Sequence, residues 1–220
     1  MDSDTITLDS NLAPIFITGT GTDVGKTLVA AIVTEALKAD YWKPVQAGFA
    51  DGTDSLFIQR MITNEKSVIH PELYRLQMPA SPHLAAPAEG KQIQVKDIIA
   101  HLPKTKNQLI IEGAGGLMVP LNQTELMLDL LKALKAKVII VSKNELGSIN
   151  HSLLTAAVLK KEKINVAGWI FTEEYQNYEN EIAGWSGFPV LGSIKHLPII
   201  SQKTIAAEAL KLLPKLKEIL

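Results

Sequence analysis

Apolar positions along the chain fall into short unbroken runs, separated by longer stretches where they recur every three or four residues. The first run is Pro14-Ile15-Phe16-Ile17-Thr18. Glycines follow it, and then an amphipathic stretch over 26–39 predicts a helix. Further strands are predicted at 41–45, 109–112, 137–142, 166–171 and 190–194, and helices at about 56–63, 125–134, 148–160 and 204–212. Leu109-Ile110-Ile111 and Val138-Ile139-Ile140-Val141 show no polar alternation, as expected of central strands covered on both faces. Strands alternating with helices imply a doubly wound α/β fold, its mostly parallel sheet flanked by helices. Ligands of such folds gather at the C-terminal strand ends. No repeat or low-complexity tract interrupts the pattern. Residues 14–220 are expected to form one domain, and the polar residues 1–13 a flexible N-terminal extension.

Composition narrows the function. Twenty-two basic and 23 acidic residues leave a formal net charge of -1. No nucleic-acid or membrane partner is therefore expected, and any phosphate binding must come from local geometry. The absence of cysteine excludes disulfides, thiolate metal sites and cysteine nucleophiles. No apolar run approaches the roughly 20 residues that span a bilayer. The first residues lack a signal-peptide pattern, so a cytoplasmic enzyme is expected.

The glycines after the first strand carry the strongest local signal. Gly19-Thr20-Gly21-Thr22-Asp23-Val24-Gly25-Lys26-Thr27 lets the backbone curl so that several N–H groups face one anion. The helix that starts there adds the positive end of its dipole. Lys26 supplies a mobile charge for the β- and γ-phosphates, and the Thr27 hydroxyl suits Mg2+. The usual spacing puts a glycine five residues before the Gly-Lys pair. Here that position is Thr20, flanked by Gly19 and Gly21. A glycine-rich turn with an incidental Gly-Lys-Thr is the plainer alternative; the strand before and the helix after argue against it.

Mg2+ usually takes one or two carboxylates besides phosphate and water. Glu112 ends an apolar run and opens Glu112-Gly113-Ala114-Gly115-Gly116, which places a carboxylate beside flexible backbone. A capped strand end would read the same way. Asp54, in Asp51-Gly52-Thr53-Asp54, reads locally as a helix N-cap rather than a metal ligand. Lys43, in Lys43-Pro44-Val45, reads by itself as a solvated surface lysine.

Taken in order, these stretches resemble the dethiobiotin synthetase family. The match spans about residues 15–197 and adds Ser81-Pro82-His83, Gly147-Ser148-Ile149-Asn150-His151 and Gly168-Trp169 to the segments above. No single piece is specific, but the ordered set is. The resemblance implies a P-loop NTPase fold with ATP as co-substrate, and Mg2+ held by Thr27, Asp54 and Glu112. It implies nucleotide contacts from Asp23, Val24, Gly25, Lys26, Thr27 and Leu28, from Asp54, Glu112, Gly113, Ala114 and Gly115, and from Thr172, Lys195, His196 and Leu197. Lys43, Lys26 and Thr22 would be catalytic. Thr22, Lys43, Ala47, Gly115, Gly116 and Asn150 would border the substrate, with Asn150 serving the neighbouring active site of a homodimer whose sites form at the interface.

The implied reaction belongs to biotin synthesis. One amine of 7,8-diaminononanoate takes up CO2, or its equivalent from bicarbonate, as a carbamate. The carbamate oxygen attacks the γ-phosphorus of ATP and releases ADP. The second amine then attacks the activated carbonyl, expels phosphate and closes the ureido ring. His83 and His151 come with motifs and are expected to serve structure, not proton transfer.

The chain departs from the family pattern in two places. Ala47 stands where a Ser or Thr is common, which removes a hydroxyl worth about 1 kcal/mol if nothing replaces it. Thr172-Glu173 replaces an Asn that reads the adenine edge, and Lys195 replaces a proline, so relaxed or altered base preference is expected. Three rival readings follow from the same loop. A cobyrinic-acid-type amidoligase with a built-in cysteine glutaminase is excluded by the lack of cysteine. A partition-type switch ATPase usually carries a lysine at the position of Gly21. A degenerate nucleotide-binding relative sits poorly with intact Lys26, Thr27, Lys43, Asp54 and Glu112.

Overall fold

The computed structural model describes residues 13–176 and 178–219. The strands are β1 (Ile15–Gly19), β2 (Asp40–Trp42), β3 (Val45–Ala47), β4 (Ile69–His70), β5 (Tyr74–Leu76), β6 (Leu109–Gly116), β7 (Lys137–Lys143), β8 (Val166–Thr172) and β9 (Val190–Ile194). Seven of them form one sheet in the order β4-β2-β6-β1-β7-β8-β9, and every pairing in it is parallel. β3 and β5 pair, also parallel, in a small second sheet. The helices are α1 (Lys26–Leu37), α2 (Asp54–Met61), α3 (Pro82–Ala88), α4 (Val95–Ala100), α5 (Met127–Leu134), α6 (Ser148–Lys161), α7 (Glu179–Ser186) and α8 (Gln202–Ile219).

Strand alternation divides the core in two. Ile15, Ile17, Tyr41, Ile110, Ile139 and Ile170 pack with residues of α1 and α8 on one face. Phe16, Trp42, Ile111, Val138, Ile140 and Phe171 pack with residues of α4, α5 and α6 on the other. The unbroken apolar runs are thus strands buried on both faces, as predicted. β1 lies between β6 and β7; the chain runs from it to β2 and β4 on one side, returns to insert β6 beside β1, and then crosses to β7, β8 and β9 on the other. That switch point puts the segment after β1 at the natural ligand crevice.

The expected strand at 41–45 is two strands. β2 ends at Trp42, the chain leaves the main sheet at Lys43-Pro44, and Val45 begins pairing with Tyr74 in the second sheet. Pro44 has no N–H to donate to a ladder, so a break there costs little. The helix expected at 125–134 starts at Met127, because Glu125 is engaged in the preceding turn with Asn122 and Val95. The helix expected at 204–212 runs to Ile219 through Pro214. The carbonyl of Leu210, which loses its partner there, belongs to an exposed residue and can be hydrated, while Leu212 and Leu216 stay buried. The short elements β4, β5, α3, α4 and α7 were not predicted; each is too brief or too polar to show a period. The expected extension lies outside the described residues except for Ala13.

Candidate active site

The register of β2 against β6 assembles the site. Tyr41 lies opposite Ile110 and Trp42 opposite Ile111, so the next step along brings Lys43 level with Glu112. Alternation turns Tyr41, Lys43, Ile110 and Glu112 toward the face covered by α1. Lys43 Nζ donates to Glu112 Oε1 at 2.9 Å and also to the Asp54 carboxylate. Thr27, in the first turn of α1, donates its hydroxyl to the same Glu112 oxygen at 2.9 Å. Tyr41 donates its phenol to Glu112 Oε2 at 2.8 Å.

Two local readings are corrected here. Lys43 is only 6% exposed, so it is no surface lysine. The N-cap of α2 is Thr53, whose side chain accepts from Leu56 N at 3.3 Å, which leaves the Asp54 carboxylate free to face Lys43. Gln46 and Tyr41 had no predicted role. Gln46 accepts from Asp54 N at 3.2 Å and donates to the Gly48 carbonyl at 2.9 Å, which fixes the start of α2 beside Lys43. The register of Tyr41 two residues before Lys43 was the signal that could have found it.

The phosphate loop has its backbone set by two glycines. Gly25 begins α1 with φ of 89°, a conformation other residues adopt only under strain. At Gly19 an added Cβ would come within 2.6 Å of Val24 and 2.8 Å of the Gly21 carbonyl. The glycine expected at position 20 is therefore supplied one residue earlier, and Thr20 N donates to Val141 O at 3.0 Å. Lys26 folds back so that Nζ donates to Gly21 O at 2.7 Å.

The two lysines carry opposite perturbations. Burial pushes the Lys26 ammonium below its ordinary value, and attraction to Glu112 offsets this only in part. Burial also acts against the Lys43 charge, but Glu112 and Asp54 outweigh it and hold Lys43 above the ordinary lysine value. Burial, followed by the Glu112 charge, keeps the Tyr41 phenol well above its usual range.

A cavity of about 820 Å³ opens over this cluster. Thr22, Asp23, Gly25, Lys26, Thr27 and Leu28 line it, as do Lys43, Asp54 and Glu112, and Ala47, Ala114 and Gly115. Ser81 lines it too, and its hydroxyl bonds His83 Nδ1 at 2.9 Å, a structural duty for His83. Gly113 packs beneath, against the Phe16 ring. Thr172 is buried, and its hydroxyl donates to the Val24 carbonyl at 2.8 Å, so it braces the phosphate loop. Lys195 pairs with Glu174 at 2.7 Å and His196 with Glu173 at 3.0 Å, both on the surface outside the cavity. Leu197 packs against the α1 side of the core. Gly116 and His151 line a separate apolar groove, and Asn150 is exposed in the first turn of α6.

The donor set suits Mg2+. Two carboxylates and a hydroxyl are hard oxygen ligands, and the Lys43 ammonium already shows that a cation is stable between them. Among the described residues no group of three or more His, Asp or Glu is arranged for a metal. A metal here would depend on phosphate and water for its remaining ligands, as Mg2+ with a nucleotide does.

Residues 13–204 match the family described as an AAA domain. Among solved structures, the cell division ATPase MinD of Pyrococcus furiosus superposes with a TM-score of 0.62 at 15% identity, covering 94% of this chain and 100% of that one. A ParA family ATPase from Chlorobium tepidum gives 0.55 at 14% identity, covering 95% and 93%. Likeness at such low identity shows the fold alone. The curated ATP-dependent dethiobiotin synthetase BioD of Cytophaga hutchinsonii is 48% identical over 90% of this chain and 95% of its own length. The BioD protein of Christiangramia forsetii is 44% identical over 93% and 98%. Identity of this order along nearly the full length of both chains decides between the two likenesses: the chain belongs to the ATP-dependent dethiobiotin synthetase family.

Proposed function

We propose that the chain carboxylates 7,8-diaminononanoate with CO2 and closes the ureido ring at the expense of ATP, yielding dethiobiotin, ADP and phosphate. The observation that carries this reading is the convergence of Lys43, Asp54, Glu112 and the phosphate loop on one cavity, in a chain of this family. Backbone N–H groups from Asp23 to Thr27 and the Lys26 ammonium hold the triphosphate. Thr27, Asp54 and Glu112 would hold Mg2+, which would supply charge neutralisation for the phosphates. Lys43 moves its charge from the carboxylates toward the transferring phosphoryl group as the carbamate oxygen attacks and ADP leaves. Thr22, Gly115 and Ser81 border the diamine. Alignment and charge stabilisation suffice for both steps, and no enzyme nucleophile is needed. The test is phosphate release from ATP, Mg2+ and bicarbonate with and without the diamine; release indifferent to the diamine overturns the reading.

Base preference is relaxed in this reading. The Thr172 hydroxyl donates to Val24, which leaves it only an acceptor towards a base edge, while Lys195 sits in an exposed ion pair with Glu174 and His196 is hydrogen-bonded to Glu173. Rates with GTP and CTP are expected within about a hundredfold of ATP in kcat/KM, since Thr172 stands where the family's bidentate amide reads the adenine edge. A larger gap in a nucleotide panel sinks this point.

A homodimer with its active sites at the interface also belongs to the proposal. A groove of about 380 Å³, lined by Met118, Val119, Pro120, Leu154 and Val158, runs beside the phosphate-loop glycines. Met118 and Leu154 are 58% and 60% exposed, and Asn150 lies on the same helix as Leu154. A second copy covering this face would bury the patch and bring Asn150 to its neighbour's substrate. Leu154→Asp is expected to yield a monomer by sedimentation, with diamine-dependent activity lost. A dimer of unchanged strength would refute it. Among the described residues no helix is long and apolar enough to cross a membrane, and the cytoplasm is the proposed site of action.

A further inference from the structure

We propose that Tyr41 is a positioning residue that keeps Glu112 a one-oxygen ligand and thereby tunes the site to Mg2+ over larger divalent ions. The proposal deepens the function above and rests on its assignment of Glu112 to the metal.

The two Glu112 oxygens have separate duties. Oε2 points into the core and accepts the Tyr41 phenol at 2.8 Å. Oε1 faces the cavity and accepts from both Thr27 and Lys43 at 2.9 Å. Glu112 is 1% exposed and Tyr41 is fully buried, so water cannot take over the bond to Oε2. Tyr41 packs in the apolar cluster that contains Ile17, Ile32, Ile58 and Ile110, none of which needs a hydroxyl. Phenylalanine would fill the same space. What the phenol oxygen adds is its bond to Glu112.

That bond restricts rotation of the carboxylate. With Oε2 tied, Glu112 can offer the cavity Oε1 alone. Mg2+ demands short, nearly octahedral ligation and takes a carboxylate through one oxygen, whereas Ca2+ accepts two-oxygen carboxylates and a higher coordination number. Without Tyr41, a buried oxygen without a partner has reason to swing toward the cavity. The altered ligand would weaken Mg2+ and suit Ca2+.

The experiment compares wild type, Tyr41→Phe, Glu112→Ala and the double variant. Mn2+ bound in the presence of ADP is read by electron paramagnetic resonance, and Mg2+ and Ca2+ are titrated in as competitors. ADP affinity in EDTA is expected to be unchanged by Tyr41→Phe, which also reports an intact fold. Mg2+ affinity is expected to fall roughly tenfold or more, as when a metal-binding carboxylate loses its hydrogen-bond partner. Ca2+ affinity falls less or rises, and Tyr41→Phe has no further effect once Glu112 is alanine. Unchanged Mg2+ affinity overturns the proposal, as do equal losses for both ions, a Tyr41→Phe effect that persists without Glu112, or lost ADP binding in EDTA. Wild type that binds ADP but no Mn2+ overturns the metal assignment itself, and the proposal with it; activity with the diamine is read separately.

Discussion

Lys26→Ala is expected to lower diamine-dependent phosphate release by about a thousandfold or more, the scale seen when one charge aimed at a transferring phosphoryl group is removed. The lysine is 8% exposed and sits over the phosphate loop with its ammonium on the Gly21 carbonyl. In the proposed mechanism that bond is a resting contact, which incoming phosphate oxygens replace with a stronger charge-assisted one. Burial depresses the Lys26 pKa, so the unliganded protein holds this charge at a cost. The variant should therefore unfold no more easily than wild type without nucleotide, while ATP affinity and turnover collapse. Rates from single turnovers and melting curves in EDTA check both halves. Comparable turnover in the variant would remove Lys26 from the chemistry.

Lys43→Met is expected to do the opposite to stability. Its ammonium is the cation between Glu112, itself buried, and Asp54. Removing one partner from a buried pair costs about 3–5 kcal/mol, because the remaining charge is left without compensation. For a chain of this length that corresponds to a fall in Tm of roughly 10 °C in EDTA. The pH dependence has a definite sign. The folded-state pKa of Lys43 is raised, so its stabilisation is fully present below the unfolded value near 10.5 and is lost only as pH rises through the folded value. The gap between wild type and Lys43→Met should hold across neutral pH and close only in strong alkali. Equal melting temperatures near neutral pH would show that the pair is not worth what its burial suggests. Turnover should fall as well, since in the proposed mechanism the same charge serves the phosphoryl group.

What the sequence made legible was whatever depends on neighbours in the chain. The central strands showed as apolar runs because each is covered on both faces, and the phosphate loop showed because its glycines, lysine and threonine are contiguous. Lys43 and Asp54 were illegible from local pattern: one read as surface and the other as a cap. Their pairing depends on the β2–β6 register and on Thr53 taking the cap. Only resemblance to a family raised them. Tyr41 was hidden more deeply, since a buried tyrosine in a strand looks like any core aromatic until the carboxylate at its hydroxyl is seen. β4 and β5 escaped because two or three residues cannot display a period, and α3, α4 and α7 because one or two helical turns barely can. The bond from Thr172 to the Val24 carbonyl was equally hidden, because it joins positions far apart in sequence.

The departure of the chain from the main sheet at Lys43-Pro44 divides the labour of the catalytic pocket. Phosphate handling is anchored in the seven-stranded sheet, where β1 and β6 are buried and every change disturbs a core. The segment that follows, with Ala47 on β3 and Ser81 before α3, stands on a small sheet of its own. Lys43 is the joint between the two. Substitutions in the second platform that spare Gln46, the side chain that reaches from it to the Asp54 backbone N–H, can therefore reshape the proposed diamine site while Asp54 keeps its place. The missing hydroxyl at Ala47 falls on the smaller sheet, so its loss leaves the strands that carry the phosphate loop undisturbed.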